Sequence, residues 1–374
     1  MKRKSAAISI QFNWIFVLIV GGLILGGVIW IVNTHKESAR TSVDREIRAK
    51  LQTILTTGQQ SATTTYSIKI PKVELYFSCD GFAVGKEQIN PVRFKPAFSQ
   101  DTIETKWSRI LVFSGDISRP FRIGSALYVT PPDRRYILLR NNDPIDEDSH
   151  KYLLQLYASA THVSLPDNVT KEVADSCTIL DVKGHPQVQI AFFDNGDPGT
   201  LSKLQECANK FSEMDDDKVT AVGIHLHQGG LDGSGWLTFY EKRDDQFVPA
   251  PGAEQATYLG RELILGAIIS SNRETYLCGL EDMLDRFQLV SEFQELRTAQ
   301  LIVDHPDDRC NAYYDEAFTD LEGLNNVLEM DDRAGPINRM QLTQVENIRV
   351  YAQNIEAHNR RLELRRGIDC ALLY

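Results

Sequence analysis

Residues 11–32 read QFNWIFVLIVGGLILGGVIWIV, and this stretch decides how the rest of the chain is arranged. From Trp14 to Val32 it contains nineteen residues without a charge. At about 1.5 Å per residue, a helix of that length roughly crosses the ~30 Å hydrocarbon layer of a bilayer. The run is longer than the core of a cleaved signal peptide, and Trp14 and Trp30 lie near its ends as interfacial anchors do. We therefore expect a retained transmembrane helix that contacts the lipid bilayer through residues 12–32.

The charges beside the apolar run indicate its orientation. Lys2, Arg3 and Lys4 precede it, whereas the basic residues that follow it are diluted by acidic ones. Lys and Arg close to a membrane span tend to stay in the cytoplasm. Residues 1–33 are therefore predicted to form the anchor with a short cytoplasmic tail. The expected localisation is the cell membrane, single-pass, with an extracytoplasmic C-terminal body.

The charge balance of the body excludes one large class of partners. Residues 1–60 contain eight Lys and Arg against three Asp and Glu, which leaves 32 against 48, a net charge of −16, for 61–374. Nucleic-acid binding requires a cationic surface, so no nucleic acid is expected. The chain also contains no phosphate-binding loop, dinucleotide fingerprint or nucleophile elbow, and we assign no cofactor and no catalytic residue.

The cysteines agree with an extracytoplasmic body. Their number is even, which suits disulfide bonds in an oxidising compartment. Cys278 and Cys310 fall in adjacent predicted helices, and we predict that they pair. The pairing of the others stays open, and the alternative is that all six cysteines are reduced, buried thiols. Asn168-Val-Thr170 is a glycosylation sequon. The six disulfide candidates are Cys79, Cys177, Cys207, Cys278, Cys310 and Cys370.

The hydrophobic periodicity predicts an α+β protein with several modules. Residues 34–60 have helical spacing and are predicted to form an amphipathic stalk helix, with a hinge-like break from Thr56 onward. Its stripe must rest on the body, on a sister copy or on a partner helix. The stripe consists of Ala39, Val43, Ile47, Leu51 and Leu55, supported by Ile54.

Three further modules follow the stalk. Residues 64–140 consist of short β-branched and aromatic runs separated by turns, which predicts a β-rich, antiparallel domain. In 150–257 helices alternate with strands, which predicts a mixed α/β domain with a partly parallel sheet and a Gly-rich hairpin loop at 228–235. The last part, 258–374, keeps helical spacing and is predicted to be a helical region.

Several short stretches resemble a family of uncharacterised archaeal single-pass membrane proteins. They are Ile70-Pro-Lys-Val-Glu-Leu-Tyr-Phe-Ser-Cys-Asp-Gly81, Arg119-Pro-Phe-Arg-Ile-Gly124, Tyr136-Ile-Leu-Leu139 and Leu237-Thr-Phe-Tyr-Glu-Lys242, together with the N-terminal run. The resemblance covers roughly residues 5–330 and implies a membrane topology, and it carries no information about activity.

A narrower resemblance concerns the N-terminus. Ala6-Ala-Ile-Ser-Ile-Gln-Phe12 resembles the start of archaeal type IV pilin-like precursors, with Gln11 at the position of their acidic residue. This resemblance implies cleavage after Ala6 and assembly of the apolar helix against sister helices. Within the span, Gly22 and Gly26 form a small-xxx-small pair that allows close helix association, so a homo-oligomer or a protein partner is a further expectation.

Two patterns are candidates for chemistry. His225 and His227 alternate on one predicted strand, so both rings face the same side and could ligate a metal together with Asp232 or His185. Asp194 and Asp197 lie between a strand and a helix, where α/β sheets commonly bind ligands. The simpler interpretations are a pair of structural histidines and an ordinary turn, and we assign no metal site.

These observations favour a membrane-anchored extracytoplasmic interaction or scaffolding protein of the cell surface over an enzyme. The alternatives are a type IV pilin-like surface subunit and an anchored hydrolase or metal-binding enzyme. The enzyme would use the turn at Asp194 and Asp197 together with His225 and His227.

Overall fold

The computed structural model describes residues 4–60, 65–85, 97–105, 109–139, 171–174, 187–194, 198–228, 232–251, 255–304, 310–329, 341–364 and 370–374. In this part of the chain an N-terminal helix is followed by β-sheets, mixed α/β elements and C-terminal helices. The predicted α+β class is confirmed.

The first element is one uninterrupted helix, α1, which spans Lys4–Gln60. At 1.5 Å per residue its 57 residues are about 85 Å long. The segment Val17–Lys36 is long and apolar enough to cross a membrane, and none of it is buried. The sequence predicted a break in the helix from Thr56 onward. This prediction is wrong for the residues up to Gln60, because the helix continues through Gly58 and ends at Gln60. The sequence suggested a hinge there, but the glycine instead allows close packing: a Cβ on it would lie 3.0 Å from Leu127 Cδ2.

The apolar stripe of α1 rests on the protein's own body. Ile47, Leu51 and Leu55 are each at most 4% exposed, whereas Val43 is 39% exposed. The buried side chains belong to a core cluster formed with the first two β-sheets. Only about 16 Å of helix separates Lys36 from Ile47. The later half of the predicted stalk is therefore a core element of the body.

The later half of α1 packs against two three-stranded antiparallel sheets. One has the order β1-β5-β6 and the other the order β3-β2-β4. Strand β5 is buried on both faces: Ile110 and Val112 point towards α1, and Leu111 and Phe113 point into the central core. The strands are β1 Thr65–Lys69, β2 Glu74–Ser78, β3 Gly81–Val84, β4 Thr102–Glu104, β5 Arg109–Ile117 and β6 Gly124–Thr130.

A seven-stranded mixed sheet forms the second layer. Its order is β12-β11-β10-β9-β7-β8, with β13 paired to β11. The pairs β8–β7, β7–β9 and β9–β10 are parallel. The pairs β10–β11, β11–β12 and β11–β13 are antiparallel. The strands are β7 Arg134–Leu139, β8 Lys171–Ala174, β9 Gln187–Phe193, β10 Val219–Gln228, β11 Ser234–Arg243, β12 Gln246–Pro249 and β13 Ala256–Leu259.

The mixed sheet confirms the predicted parallel pair and corrects one boundary. Helix α2, Pro198–Lys210, connects β9 to the parallel neighbour β10. Strand β7 was expected in the 64–140 module, but it pairs with β8 and β9 of the mixed sheet. Its run is buried on both faces and shows no alternation, so periodicity could not assign it to either sheet. The helix expected at 150–160 lies outside the described residues.

Four helices complete the fold. They are α3 Arg261–Ile269, α4 Arg273–Asp304, α5 Asn311–Leu328 and α6 Leu342–Leu364. Helix α3 is buried from Leu263 to Ile269 and packs between the sheets. Helices α4, α5 and α6 pack on one another in sequence order, which matches the helical region expected after residue 258.

Two disulfide bonds join distant parts of the chain. Cys79, which follows β2, is bonded to Cys278 in α4, and Cys310 is bonded to Cys370. Their sequence separations are 199 and 60 residues. On loop entropy alone, the two bonds would stabilise the fold by about 5 and about 4 kcal/mol.

The predicted bond between Cys278 and Cys310 is wrong. Cys278 lies near the start of α4, and about 39 Å of helix separates it from Asp304 at the other end, beyond which Cys310 follows. A disulfide requires Cα atoms within about 7 Å of each other. Cys207 is also disulfide-bonded, and Cys177 lies outside the described residues.

Candidate functional site

The candidate site lies where the parallel strands β9 and β10 end. Asp194 follows β9 directly, and its backbone N–H donates to the carbonyl oxygen of Ile224 at 3.0 Å. His225 is the next residue on β10, so the two side chains meet at the carboxyl edge of the sheet. This edge is where open α/β sheets commonly bind ligands.

His225 is held by three neighbours. Its Nε2 atom lies 3.1 Å from Thr238 Oγ1 and 3.5 Å from Asp194 Oδ2. Its ring stacks on the indole of Trp236, the cross-strand partner in the β10–β11 hairpin, with 5.1 Å between ring centroids. Burial lowers the pKa of His225, and the Asp194 carboxylate opposes that shift. The imidazole is therefore neutral at neutral pH.

The hydrogen-bond geometry differs from that of a catalytic triad. In a triad the carboxylate holds one ring nitrogen, and the other nitrogen acts on the nucleophile. Here Asp194 and Thr238 both face Nε2 of His225. The arrangement locks the ring in place.

His227 faces the other end of the same indole. Its ring centroid lies 6.2 Å from that of Trp236. Across from it, Glu346 of α6 accepts a hydrogen bond from Ser234 Oγ at 2.8 Å and pairs with Arg349. The hydrogen bond with Arg349 is the main cause that lowers the pKa of Glu346, and His227 contributes less. Helix α6 is thus fixed to the hairpin beside the two histidines.

The described candidate ligands do not form a metal-binding cluster. Asp232 lies 3.6 Å from Arg261 and 4.0 Å from Arg119, measured between charged atoms, so these arginines engage its carboxylate. Among the described residues, no group of three or more His, Cys, Asp or Glu side chains could hold a metal ion. His185 and Asp197 lie outside the described residues.

The remaining candidates from the sequence concern the membrane segment and glycosylation. A Cβ atom built on Gly22 or Gly26 would meet no atom within 4 Å, so this face of α1 is open. Such a surface leaves room for a second helix to approach closely. Asn168 lies outside the described residues.

Sequence reasoning missed the residues that hold His225. Trp236 and Thr238 of the neighbouring strand contact the His225 ring, and Tyr240 of the same strand packs against Phe192 of β9. Burial, with a smaller contribution from Asp194, raises the pKa of Tyr240 to about 12. The Gly-rich loop was the sequence signal that could have found these residues, because a hairpin places the residues before and after its loop opposite one another. The loop alone does not give the register of the two strands, which depends on the loop's geometry.

A buried arginine was also missed. Arg134 of β7 is 2% exposed, and its guanidinium donates to Gln189 Oε1 on the adjacent strand β9 and to Thr220 Oγ1 on β10, the strand beyond it. Burial lowers its pKa. The cation ties three parallel strands together, and nothing in the local sequence distinguishes it from the adjacent Arg135.

No family model matches this chain, and no curated protein or solved structure is significantly similar to it.

Proposed function

We propose that this chain is a membrane-anchored, extracytoplasmic interaction or scaffolding protein of the cell surface. The observation that carries the proposal is that α1 combines two surfaces in one helix. Val17–Lys36 is apolar and unburied, and Ile47, Leu51 and Leu55 of the same helix are core residues. Exposed apolar surface of this extent is stable in lipid and costly in water.

The continuity of α1 supports a positioning role. No loop separates the apolar segment from the body, so the helix transmits the orientation of the anchor to the first two sheets. The backbone of Gly85 approaches α1 closely: a Cβ on this residue, whose φ is +63°, would lie 2.8 Å from Asp44 Oδ2. A body held in this way stands about 12 Å beyond Lys36, close to the lipid surface.

The disulfides and the charge support the outward orientation. Bonds such as Cys79–Cys278 and Cys310–Cys370 persist in oxidising compartments and are rare in the cytosol. The body's net charge of −16 favours a solvated surface. These properties agree with an exported body.

Membrane insertion is tested by placing charge in the span. The double change Ile24→Arg and Leu25→Arg costs about 3 kcal/mol per residue at the centre of a bilayer. We expect the variant to move from the membrane pellet to the soluble fraction. Leu201→Arg, at an exposed position of α2, is the matched control and should remain in the pellet. A wild-type chain that stays soluble without detergent contradicts the anchor.

The orientation is tested separately with a membrane-impermeant thiol reagent on intact cells. None of the described cysteines is free, so an introduced thiol is the reporter. Leu201→Cys should react directly, and Lys2→Cys should react only after permeabilisation. The reverse pattern would place the body in the cytoplasm and refute the extracytoplasmic proposal.

Pilin-like assembly is the second candidate, and the unburied surface of Val17–Lys36 favours it because sister helices could cover that surface. Mass spectrometry of the mature N-terminus tests it. Loss of residues 1–6 supports the candidate, and an intact N-terminus refutes it.

The anchored enzyme is the third candidate, and only the contact between His225 and Asp194 favours it. Its metal-binding form is tested by equilibrating the full-length, oxidised protein with Zn²⁺ and measuring bound metal. Stoichiometric binding that is lost in the His225→Ala variant supports a site, whereas equal binding by both proteins refutes it.

A further inference from the structure

The C-terminal half of α4 has its polarity inverted. On its buried side lie Ser291, Gln294 and Thr298. On its solvent side lie large apolar side chains that are 62–71% exposed, namely Leu289, Phe293, Leu296 and Val303. A helix on the surface of a soluble body normally shows the opposite arrangement. The exposed set is therefore a contiguous apolar face of the kind that marks an interaction site.

The spacing of this face is that of a coiled-coil seam. The positions 289, 293, 296, 300 and 303 are separated by four, three, four and three residues. This is the heptad pattern, in which Leu289, Leu296 and Val303 take the d positions and Phe293 and Gln300 take the a positions. We call these five residues the α4 seam. Gln300 is also exposed, so the whole seam faces solvent.

The charges beside the seam identify the partner. In this register Glu292 is at a g position and Arg297 at the following e position, and both are exposed. Within one copy, Glu292 accepts a hydrogen bond from Gln288 at 2.9 Å and Arg297 donates to the carbonyl oxygen of Leu372 at 3.3 Å, so pairing would exchange these two surface contacts for contacts between the copies. In a parallel pair of identical helices, each g residue faces the next e residue of the other chain. Glu292 of one copy would then face Arg297 of the second copy, twice by symmetry. Gln300 would face its own equivalent, and a single polar a position of this kind fixes the register.

We propose that a second copy of this chain covers the α4 seam, with the two α4 helices parallel. The seam is about two heptads long, which is short for an isolated coiled coil. Two copies held in one membrane would be concentrated relative to each other, which favours their association. The inference goes beyond the proposed function, because the anchor favours the contact but does not form it.

Disulfide trapping of the full-length chain tests the inference. Leu296→Cys places a thiol at a central d position, and mild oxidation should link two copies through it. Leu201→Cys, an exposed leucine on α2, is the matched control and should stay monomeric. The reaction is carried out in whichever cell fraction contains the protein, so that failure of the anchor and failure of the seam give different results.

Charge exchange tests the parallel arrangement. Each exchange is made in the Leu296→Cys background. Glu292→Arg alone and Arg297→Glu alone should each reduce the amount of trapped dimer, since each places like charges opposite one another. The double exchange should restore it. Gly22→Ile with Gly26→Ile should leave trapping intact, because the seam belongs to the body.

Three outcomes overturn the inference. One is a chain that remains monomeric under all conditions. The second is a dimer in which Leu296→Cys does not form the bond. The third is a Leu296→Cys thiol that is unreactive towards small reagents in the monomer, because another segment of the same chain would then cover the seam. Loss of trapping when Leu289→Glu is added to Leu296→Cys, with an unchanged melting temperature, supports it.

Discussion

Helices α1 and α4 each carry an apolar stripe, but the two stripes have different surroundings. Ile47, Leu51 and Leu55 of α1 are buried against the first two sheets, whereas Leu296 of α4 is 71% exposed. On α4 the polar side chains Ser291, Gln294 and Thr298 take the inward positions instead. The comparison shows that helical spacing predicts an apolar face, and the fold decides whether the chain itself covers that face.

The disulfide between Cys79 and Cys278 links α4 to the end of β2, which belongs to one of the sheets that cover the α1 stripe, and its removal has the largest expected effect. Replacing both cysteines by alanine should reduce the free energy of unfolding by about 4 to 5 kcal/mol, because the bond closes a sequence separation of 199 residues. Urea denaturation in detergent, followed by circular dichroism, measures this change. If α1 and α4 belong to one cooperative unit, a single transition at lower urea is expected.

The control for this change is the double replacement of Cys310 and Cys370 by alanine. Their bond closes the shorter separation of 60 residues and should contribute about 4 kcal/mol. If removal of Cys79–Cys278 leaves the transition unchanged, the two regions are not stabilised by their covalent link.

Truncation of the α1 stripe should have the next largest effect. Leu51→Ala removes a side chain that is 1% exposed, and the lost burial and the cavity should cost about 3 kcal/mol. Val43→Ala, in the exposed part of the same stripe, should change stability by less than about 0.5 kcal/mol. Equal effects at the two positions would mean that the stripe is not a core element.

A substitution on the inward face of α4 should stabilise the fold, whereas the changes described above destabilise it. Ser291 is fully buried, and its hydroxyl has no hydrogen-bond partner in the described part of the chain. Ser291→Ala removes an unsatisfied polar group and should stabilise the fold by about 1 kcal/mol. Thr298→Val is the comparison, because the Thr298 hydroxyl donates to the carbonyl oxygen of Gln294 at 2.8 Å. That variant should show no such gain in thermal denaturation.

The smallest effect on the folded monomer is expected at the α4 seam. Leu296→Ala should change the free energy of unfolding of the monomer by less than about 0.5 kcal/mol, since the side chain is already solvated. The same change should weaken self-association, which sedimentation in detergent measures. A loss of more than 2 kcal/mol in the monomer would show that Leu296 is covered within its own chain.

Much of the architecture could be predicted because its signals are local. The apolar run, the hairpin at 228–235 and the strand–helix–strand order around α2 each depend on neighbouring residues, and each lies where the sequence predicted it. The assignment of β7 failed because a strand buried on both faces has no alternation that shows which sheet it joins. The pairing of Cys278 failed because adjacency in the helical order does not imply adjacency in space when a helix as long as α4 lies between two cysteines.

The candidate site was predicted only in part. The alternation of His225 and His227 and the position of Asp194 after a strand correctly placed these residues at one edge of the sheet. The stacking of His225 on Trp236 depended on the register between two strands, and the arginine pairs of Asp232 depended on contacts over long sequence distances. Neither has a local signature.

The sequence by itself determined an unburied apolar segment, an acidic body and the periodicity of each element, because hydrophobicity, charge and side-chain spacing are properties of the chain. Only the tertiary structure decided that the stripe of α1 is covered by its own sheets and that of α4 is not, which cysteines are bonded, and which groups surround His225. These outcomes depend on which surfaces, distant in the sequence, pack together. All the apolar surfaces of the chain compete for burial, so the packing of any one of them cannot be read from its own segment.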